Sequence, residues 1–437
     1  MTTLSTMPLF RHLSACPHCD ALHRVHRLPS GQSALCSRCG TILYRSRRTG
    51  ADRALALALT GLLLLVMANT QPLLTLELGG RLQESTLWTG VTALFAEGFW
   101  LLALLVLCTS LLFPLLVLSG MSWLLLPWPR RSPFPRGTTV IFRAVTALTP
   151  WSMIGIYTLG LMVAIVKLRD LATVTPGIAL YAFVGLLLTT IAAHLSFDAR
   201  ARQRILAAAV VDPVPQPAPL PPRAAPLRST ALRSGLLRCH TCTRLCHRPD
   251  GPGESWRCPR CGSRVHPRKP ASLARTWALL LTAALLYLPA NLLPIMTVIR
   301  FGQGEPDTIL SGIQHLLQSG LWPLATLIFF ASMVVPLMKL GVLTFLLVSV
   351  HYRCRWRPGE RTSLYRVIEL FGHWSMVDIF LLAILTALVQ LGTLSTIEPG
   401  QGATFFGLVV VFTMLATKSF DPRLMWDAME KPHEHAA

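Results

Sequence analysis

Eight strongly apolar runs, each long enough to cross a hydrocarbon layer, leave this chain few ways to fold. They lie at Ala54–Thr70, Trp100–Leu126, Val140–Val166, Gly177–Leu195, Trp277–Leu293, Leu321–Val350, Val367–Leu391 and Ala403–Thr417. A helix of about 20 apolar residues spans the ~30 Å core of a bilayer and satisfies its own backbone donors and acceptors there. The expected fold class is an all-α polytopic membrane protein with eight transmembrane helices. Composition agrees, since 52% of the residues are hydrophobic and only 14% are charged. The first run follows a polar, Arg-rich segment reaching Arg53, so it has neither the position nor the flanks of a cleavable signal peptide.

A net charge of +20 would suggest nucleic acid in a soluble protein, but its placement points elsewhere. The Lys and Arg residues gather in the N-terminal region to Arg53, the 127–143 loop, the 198–275 connector, the 351–366 loop and the C-terminal tail. Only Arg81, Lys167, Arg169 and Arg300 lie in or beside the alternate loops, which carry Glu77, Glu84, Glu97, Asp170, Glu305, Asp307 and Glu398. By the positive-inside rule both termini and the connector are cytoplasmic, and no nucleic acid is expected as a partner. Lys167, at the outer end of the third span, is expected to snorkel to the interface.

The chain also repeats itself at an offset of 222 or 223 residues. Cys36-Ser37-Arg38-Cys39-Gly40 matches Cys258-Pro259-Arg260-Cys261-Gly262, and Ala68-Asn69-Thr70-Gln71-Pro72 matches Ala290-Asn291-Leu292-Leu293-Pro294. Further along, Pro114 matches Pro336, Trp151-Ser152-Met153 matches Trp374-Ser375-Met376, and Ser196-Phe197-Asp198 matches Ser419-Phe420-Asp421. An even number of spans per repeat makes the two four-helix bundles parallel, not inverted. The resulting division is a ribbon at 10–50, a bundle at 51–200, a Pro/Ala-rich linker at 201–235, a second ribbon at 236–268, a second bundle at 269–425 and a cytoplasmic tail at 426–437. Each ribbon is read as paired with the bundle that follows it.

Both ribbons carry two Cys-x-x-Cys knuckles: Cys16, Cys19, Cys36 and Cys39 in the first, and Cys239, Cys242, Cys258 and Cys261 in the second. This spacing places four thiolates around one tetrahedral ion, with Gly40 and Gly262 supplying permissive turns. On the reducing side of the membrane zinc is expected in place of disulfides, two structural Zn²⁺ in all, although iron would use the same ligands. Cys246 and His247 are extra candidates that could replace a ligand in the second site. Cys108 is expected to be a membrane-packed thiol and Cys354 a surface thiol.

Ionisable residues inside a span are costly, so they mark candidate functional sites. Lys339 in the sixth span and Asp378 in the seventh sit at similar depth, about 16–21 Å from the cytoplasmic ends at 1.5 Å per residue. Glu369, His373 and Ser375 extend a polar track along the seventh span. Two readings stand: an ion pair bridging two helices, or a proton-responsive or headgroup-binding site. The first half has Val117 opposite Lys339 and Gly155 opposite Asp378. Asn69 and Asn291, each three residues before Pro72 or Pro294, are expected to cap carbonyls at structural turns. Pro114 and Pro336 should kink their spans, and short β-hairpins are expected in the outer loops Leu73–Glu97 and Ile295–Gly320. No enzyme is expected: His373 and Asp378 are five residues apart, roughly 140° apart around a helix, and there is no Walker motif.

Paired Cys-x-x-Cys ribbons, Ala-Asn-x-x-Pro turns, Trp-Ser-Met segments and Ser-Phe-Asp ends together resemble the paraquat-inducible protein A family over roughly residues 10–425. The resemblance implies a Gram-negative inner-membrane protein that passes phospholipid between the inner membrane and a periplasmic tunnel protein of the MCE family. It also implies small extracytoplasmic β-structure beside each bundle, zinc on the eight cysteines, and a functional network on Lys339, Asp378 and Ser375. A different class of function remains open from the residues alone, a structural or zinc/redox-sensing membrane anchor for an envelope complex.

Overall fold

A computed structural model describes residues 13–25, 28–29, 31–45, 51–78, 81–126, 137–168, 173–197, 230–247, 256–300, 303–372, 374–388 and 395–429. Most of the Pro/Ala-rich linker, the end of the C-terminal tail and His373 lie outside the described residues. Ribbon 1 is two hairpins, β1 (Leu13–Ala15) with β2 (Leu22–Arg24), and β3 (Ser33–Leu35) with β4 (Ile42–Arg45). The first bundle follows as α1 (Ala51–Thr70), β5 (Leu74–Leu78), β6 (Arg81–Ser85), α2 (Leu87–Ala96), α3 (Trp100–Leu125), α4 (Thr138–Leu148), α5 (Ile154–Leu168), β7 (Thr173–Pro176) and α6 (Ile178–Ser196). Ribbon 2 pairs β8 (Leu236–Arg238) with β9 (Leu245–His247), and β10 (Trp256–Arg257) with β11 (Arg264–Val265). The second bundle repeats the order: α7 (Ser272–Leu292), β12 (Met296–Arg300), β13 (Gln303–Asp307), α8 (Ile309–Gln318), α9 (Trp322–His351), α10 (Pro358–Phe371), α11 (Val377–Leu388), β14 (Ser395–Pro399), α12 (Gln401–Ser419) and a closing turn α13 (Leu424–Asp427).

Seven helices among the described residues are long and apolar enough to cross a membrane, where the sequence suggested eight. The seventh run, Val367–Leu391, includes His373 and 389–391, which lie outside the described residues. It divides into α10, a 3₁₀ turn at Trp374–Met376 and the 12-residue α11. Its counterpart in the first half bends in the same place, through a 3₁₀ turn at Thr149–Trp151. The long spans α3 and α9 are not simply kinked at their prolines. Each contains a π-helical turn, Cys108–Leu112 or Phe330–Val334, immediately before Pro114 or Pro336. Proline cannot donate to the carbonyl four residues back, and the wider register absorbs that missing bond. Phe113 and Val335 accordingly donate five residues back, to Cys108 and Phe330.

The expected outer hairpins are present, and each gains a third strand from the last loop of its bundle, giving antiparallel sheets ordered β6-β5-β7 and β13-β12-β14. Both sheets close at the same structural turn. Asn69 and Asn291 donate to the Leu65 and Tyr287 carbonyls, four residues back inside their own helices (2.6 and 2.8 Å), so the carbonyls they cap lie about a turn deeper than the prolines suggested. Gly177 and Gly400 then pass against the backbone of Pro72 and Pro294. A β-carbon would lie 2.0 Å from the Pro72 carbonyl oxygen or 2.2 Å from that of Pro294.

The two halves share one core. α11 is buried along its whole length, with α5 and α2 of the first half packed on it. Gly160 brings α5 against Phe380, Gly90 brings α2 against the Ala383 carbonyl, and Tyr157 stacks edge-on against Phe380 at 5.3 Å. Gly400→Ala should therefore break the Pro294 turn and lower stability by about 1–3 kcal/mol. Gly312→Ala has no atom within 4 Å of the new methyl and should be neutral or mildly stabilising. Thermal unfolding of the purified protein in detergent checks the contrast, and equal midpoints for both variants would contradict the close-approach argument.

Candidate functional site

Two features stand out from the residues upward: a pair of four-cysteine clusters on one side of the bundles, and a buried polar cluster inside the second. In each knuckle the chain turns back on the first cysteine, as when Asp20 N–H bonds the Cys16 carbonyl and Gly40 N–H that of Cys36. The reversing residue has positive φ every time. It is Gly40 or Gly262 in the later knuckles, and Asp20 or Thr243 (both φ 60°) in the earlier ones.

The sulfurs converge. Cys16 and Cys39 are 3.4 Å apart and Cys19 and Cys36 3.5 Å; Cys239 and Cys261 are 3.6 Å apart and Cys242 and Cys258 3.5 Å. All four donor atoms of each set lie within 4.8 Å of one another, and all are free thiols. A metal with bonds of ~2.3 Å to four tetrahedral sulfurs needs an S···S spacing near 3.8 Å, so both sets fit one ion apiece and leave no open position on it. Cys246 stands outside the second set, its sulfur 4.0 Å from that of Cys258. The equivalent position of ribbon 1 is His23, whose Nε2 lies 3.2 Å from Cys36 Sγ.

The ribbons do not simply sit on the bundles that follow them. Ribbon 1 docks on the second bundle: its cysteines share a hydrophobic cluster with Leu343, Leu347, Tyr365, Phe420 and Trp426, and Arg38 lies 4.5 Å over the Trp426 ring. His18 packs edge-on against Tyr365 and reaches Glu369 at 3.9 Å. Burial, followed by the charges of Arg366, Arg238 and Lys269, lowers the His18 imidazole to about 4. It is neutral near pH 7, so its approach to Glu369 is a polar contact and not an ion pair.

Arg268 ties the assembly together, reaching Asp20 of ribbon 1 at 3.3 Å and Asp427 at 2.6 Å. Asp20 also accepts the Leu232 N–H just before ribbon 2. Burial would raise the Asp421 carboxyl, but hydrogen bonds and charge from Arg423, with the Lys269 and Arg423 N–H groups, hold it at about 2. The Ser-Phe-Asp motif thus locks the start of α7 to the end of α12, with Ser272 bridging Ser419 and Asp421.

Inside the second bundle Lys339 is completely buried. Its Nζ donates to the Gly372 carbonyl at 2.7 Å and to Ser375 Oγ at 3.0 Å. Asp378, in the first turn of α11, accepts from Ser332 in the π-helical turn of α9. Of the two readings, the ion pair bridging two helices is not seen: among the described residues no Lys339–Asp378 salt bridge is present, and the two groups have separate partners. Glu369 does not line a track through the bundle, since it turns toward ribbon 1.

Ser332 and Gly372 were not singled out from sequence. The legible signal for Ser332 was the match of Ser110 with Ser332, four residues before each proline. In the first half Ser110 occupies the same π-helical turn, but Val117 and Gly155 replace the lysine and the aspartate, and a cleft of about 330 Å³ lined by Thr149, Ser152, Gly155 and Leu370 opens there.

With this geometry in hand, comparison with known proteins is informative. The paraquat-inducible protein A family model matches residues 51–205 and again 273–430, one copy per bundle. The chain is 35% identical to the intermembrane transport protein PqiA of Escherichia coli K12 over 426 residues, 96% of this chain and 97% of that protein. It is 32% identical to the lipophilic envelope-spanning tunnel protein A of the same organism, over 95% and 91% of the two chains. A probable intermembrane transport protein of Haemophilus influenzae is 30% identical over 98% and 99%. No solved structure matches the chain. Two matches to one family model, and relatives aligned over almost their full length, make this multi-pass membrane protein a member of the paraquat-inducible protein A family.

Proposed function

We propose that this protein is the inner-membrane component of an intermembrane phospholipid transport system, passing lipid between the inner membrane of a Gram-negative bacterium and a periplasmic tunnel protein of the MCE family. The observation that carries the reading is the completely buried Lys339, bonded to the neutral oxygens of Gly372 and Ser375. A charge is retained deep in an apolar bundle at a cost of several kcal/mol, which favours a functional role. Among the described residues those oxygens take two of its three ammonium donors, and the third suits an anionic phosphate oxygen. The names of the relatives, two intermembrane transport proteins and one envelope-spanning tunnel protein, support the same reading. The positive-inside distribution of Lys and Arg supports ribbons and termini in the cytoplasm, with both β-sheets facing the periplasmic partner. The protein acts as a carrier, not an enzyme.

The eight clustered cysteines hold two structural Zn²⁺, since closed all-thiolate sites in a reducing compartment suit zinc. Elemental analysis should find two zinc per chain, falling to one in Cys19→Ser and again to one in Cys242→Ser. Iron in their place, with its visible absorption, would contradict the assignment.

Lys339→Met removes the charge while keeping the side-chain volume, so folding should survive. Under this proposal the variant is expressed at the normal level but loses its envelope-lipid function in a complementation assay, as does Asp378→Asn. Wild-type complementation by both variants would refute the proposal, and full unfolding of Lys339→Met would assign the lysine to structure alone.

A further inference from the structure

The ribbons are copies that differ beside the third cysteine of each set. In ribbon 1 the neighbour is His23, which approaches Cys36 and has no sulfur to offer. In ribbon 2 the same place on the β8–β9 hairpin, opposite Leu237, is taken by Cys246. Its sulfur stands 4.0 Å from Cys258 and it is only partly buried, whereas Cys258 is 2% exposed. A solvent-borne oxidant therefore meets Cys246 before it meets the ligand behind it. The pair is already within about 2 Å of disulfide bonding distance.

We propose that Cys246 is a redox-modification site that lets peroxide eject the metal from ribbon 2 while ribbon 1 keeps its own. The inference rests on the zinc reading of ribbon 2 and is independent of the lipid reading. The Cys246 thiol gives up its proton, and its sulfur passes two electrons to hydrogen peroxide. The O–O bond breaks, leaving a sulfenic acid on Cys246 and one water. The Cys258 thiolate then attacks that sulfur, the S–O bond breaks, and hydroxide leaves to solvent, the proton of the Cys246 thiol having gone into the first water. The product is a Cys246–Cys258 disulfide. Ribbon 2 is left with three thiolates, and Zn²⁺ leaves a site that needs four. Reduction by a dithiol restores both sulfurs and lets the ion rebind.

The consequence reaches past the ribbon. Thr230 bridges to Ala21, and Leu232 N–H bonds Asp20, so the segment leading into ribbon 2 is part of what holds ribbon 1 in place. Loss of the second metal loosens that junction while the four cysteines docked on the second bundle stay filled.

The test uses the full-length protein in detergent, in a Cys354→Ser background that removes the exposed thiol, treated with graded hydrogen peroxide. Zinc release is followed with a chromogenic chelator and disulfides by peptide mass spectrometry. The expected result is a fall from two zinc to one per chain, a Cys246–Cys258 linked peptide, and recovery on adding dithiothreitol with zinc. Cys246→Ser and Cys246→His should both retain two zinc at the same dose. Equal loss from both ribbons, release from Cys246→Ser at the wild-type dose, or no release at all from protein holding two zinc would overturn the proposal. Protein purified with no zinc in ribbon 2 would instead overturn the zinc reading beneath it.

Discussion

A buried ammonium must find oxygen, and in an apolar helical bundle almost every oxygen is already committed to its own helix. The contact of Lys339 with the Gly372 carbonyl resolves this by breaking a helix. Where α10 ends, its last carbonyls have no partner four residues on, so Gly372 can face the lysine and Ser375 can add a hydroxyl from the 3₁₀ turn. Beyond the break, α11 is apolar and buried over Val377–Leu388 except at Asp378. The first bundle packs on it through Gly160 and Gly90, each small enough to let a backbone approach closely. The two halves thus meet on the same span that is broken beside the lysine.

Duplication explains why such a costly arrangement is tolerated. Both halves retain the π-helical turn, the 3₁₀ break, the Asn-x-x-Pro turn and the sheet closed at Gly177 or Gly400. Only the second adds Lys339 and Asp378. The first half keeps the frame with Val117 and Gly155 and contributes packing, much of it around α11. The ribbons follow the same logic of shared frame and divided role. Ribbon 1 leaves its own bundle to sit on the helix that ends at the Lys339 site, and His18 and Arg38 secure it there.

Much of this was legible in the residues. The Cys-x-x-Cys spacing located both metal sets because four ligands within two short knuckles are a local property of the chain. The repeat located the turns and the prolines, and hydropathy located the spans. What escaped was non-local or too subtle for composition. The division of Val367–Leu391 leaves no mark on hydropathy, because a broken helix surrounded by protein is as apolar as an intact one. β7 and β14 are four and five residues long and gain their strand character only by pairing with β5 and β12. The docking of ribbon 1 on the second bundle joins residues hundreds of positions apart, and Arg268 with Asp20 has no spacing from which to be read. The choice between the two readings of Lys339 and Asp378 was closed to the sequence for a related reason: equal depth does not fix rotation, and the π-helical turn points Ser332 at the aspartate.

Under the proposed function, Lys339 receives a phospholipid headgroup within the second bundle. This is tested most directly by mass spectrometry of the lipid that copurifies with the full-length protein, quantified per chain beside Lys339→Met, with zinc content as the control for folding. The account predicts a specific phospholipid bound near one per chain in the wild type and lost from the variant at unchanged zinc. Equal amounts of unselected membrane lipid in both proteins would contradict it and leave Lys339 as a structural brace between α9 and the broken span.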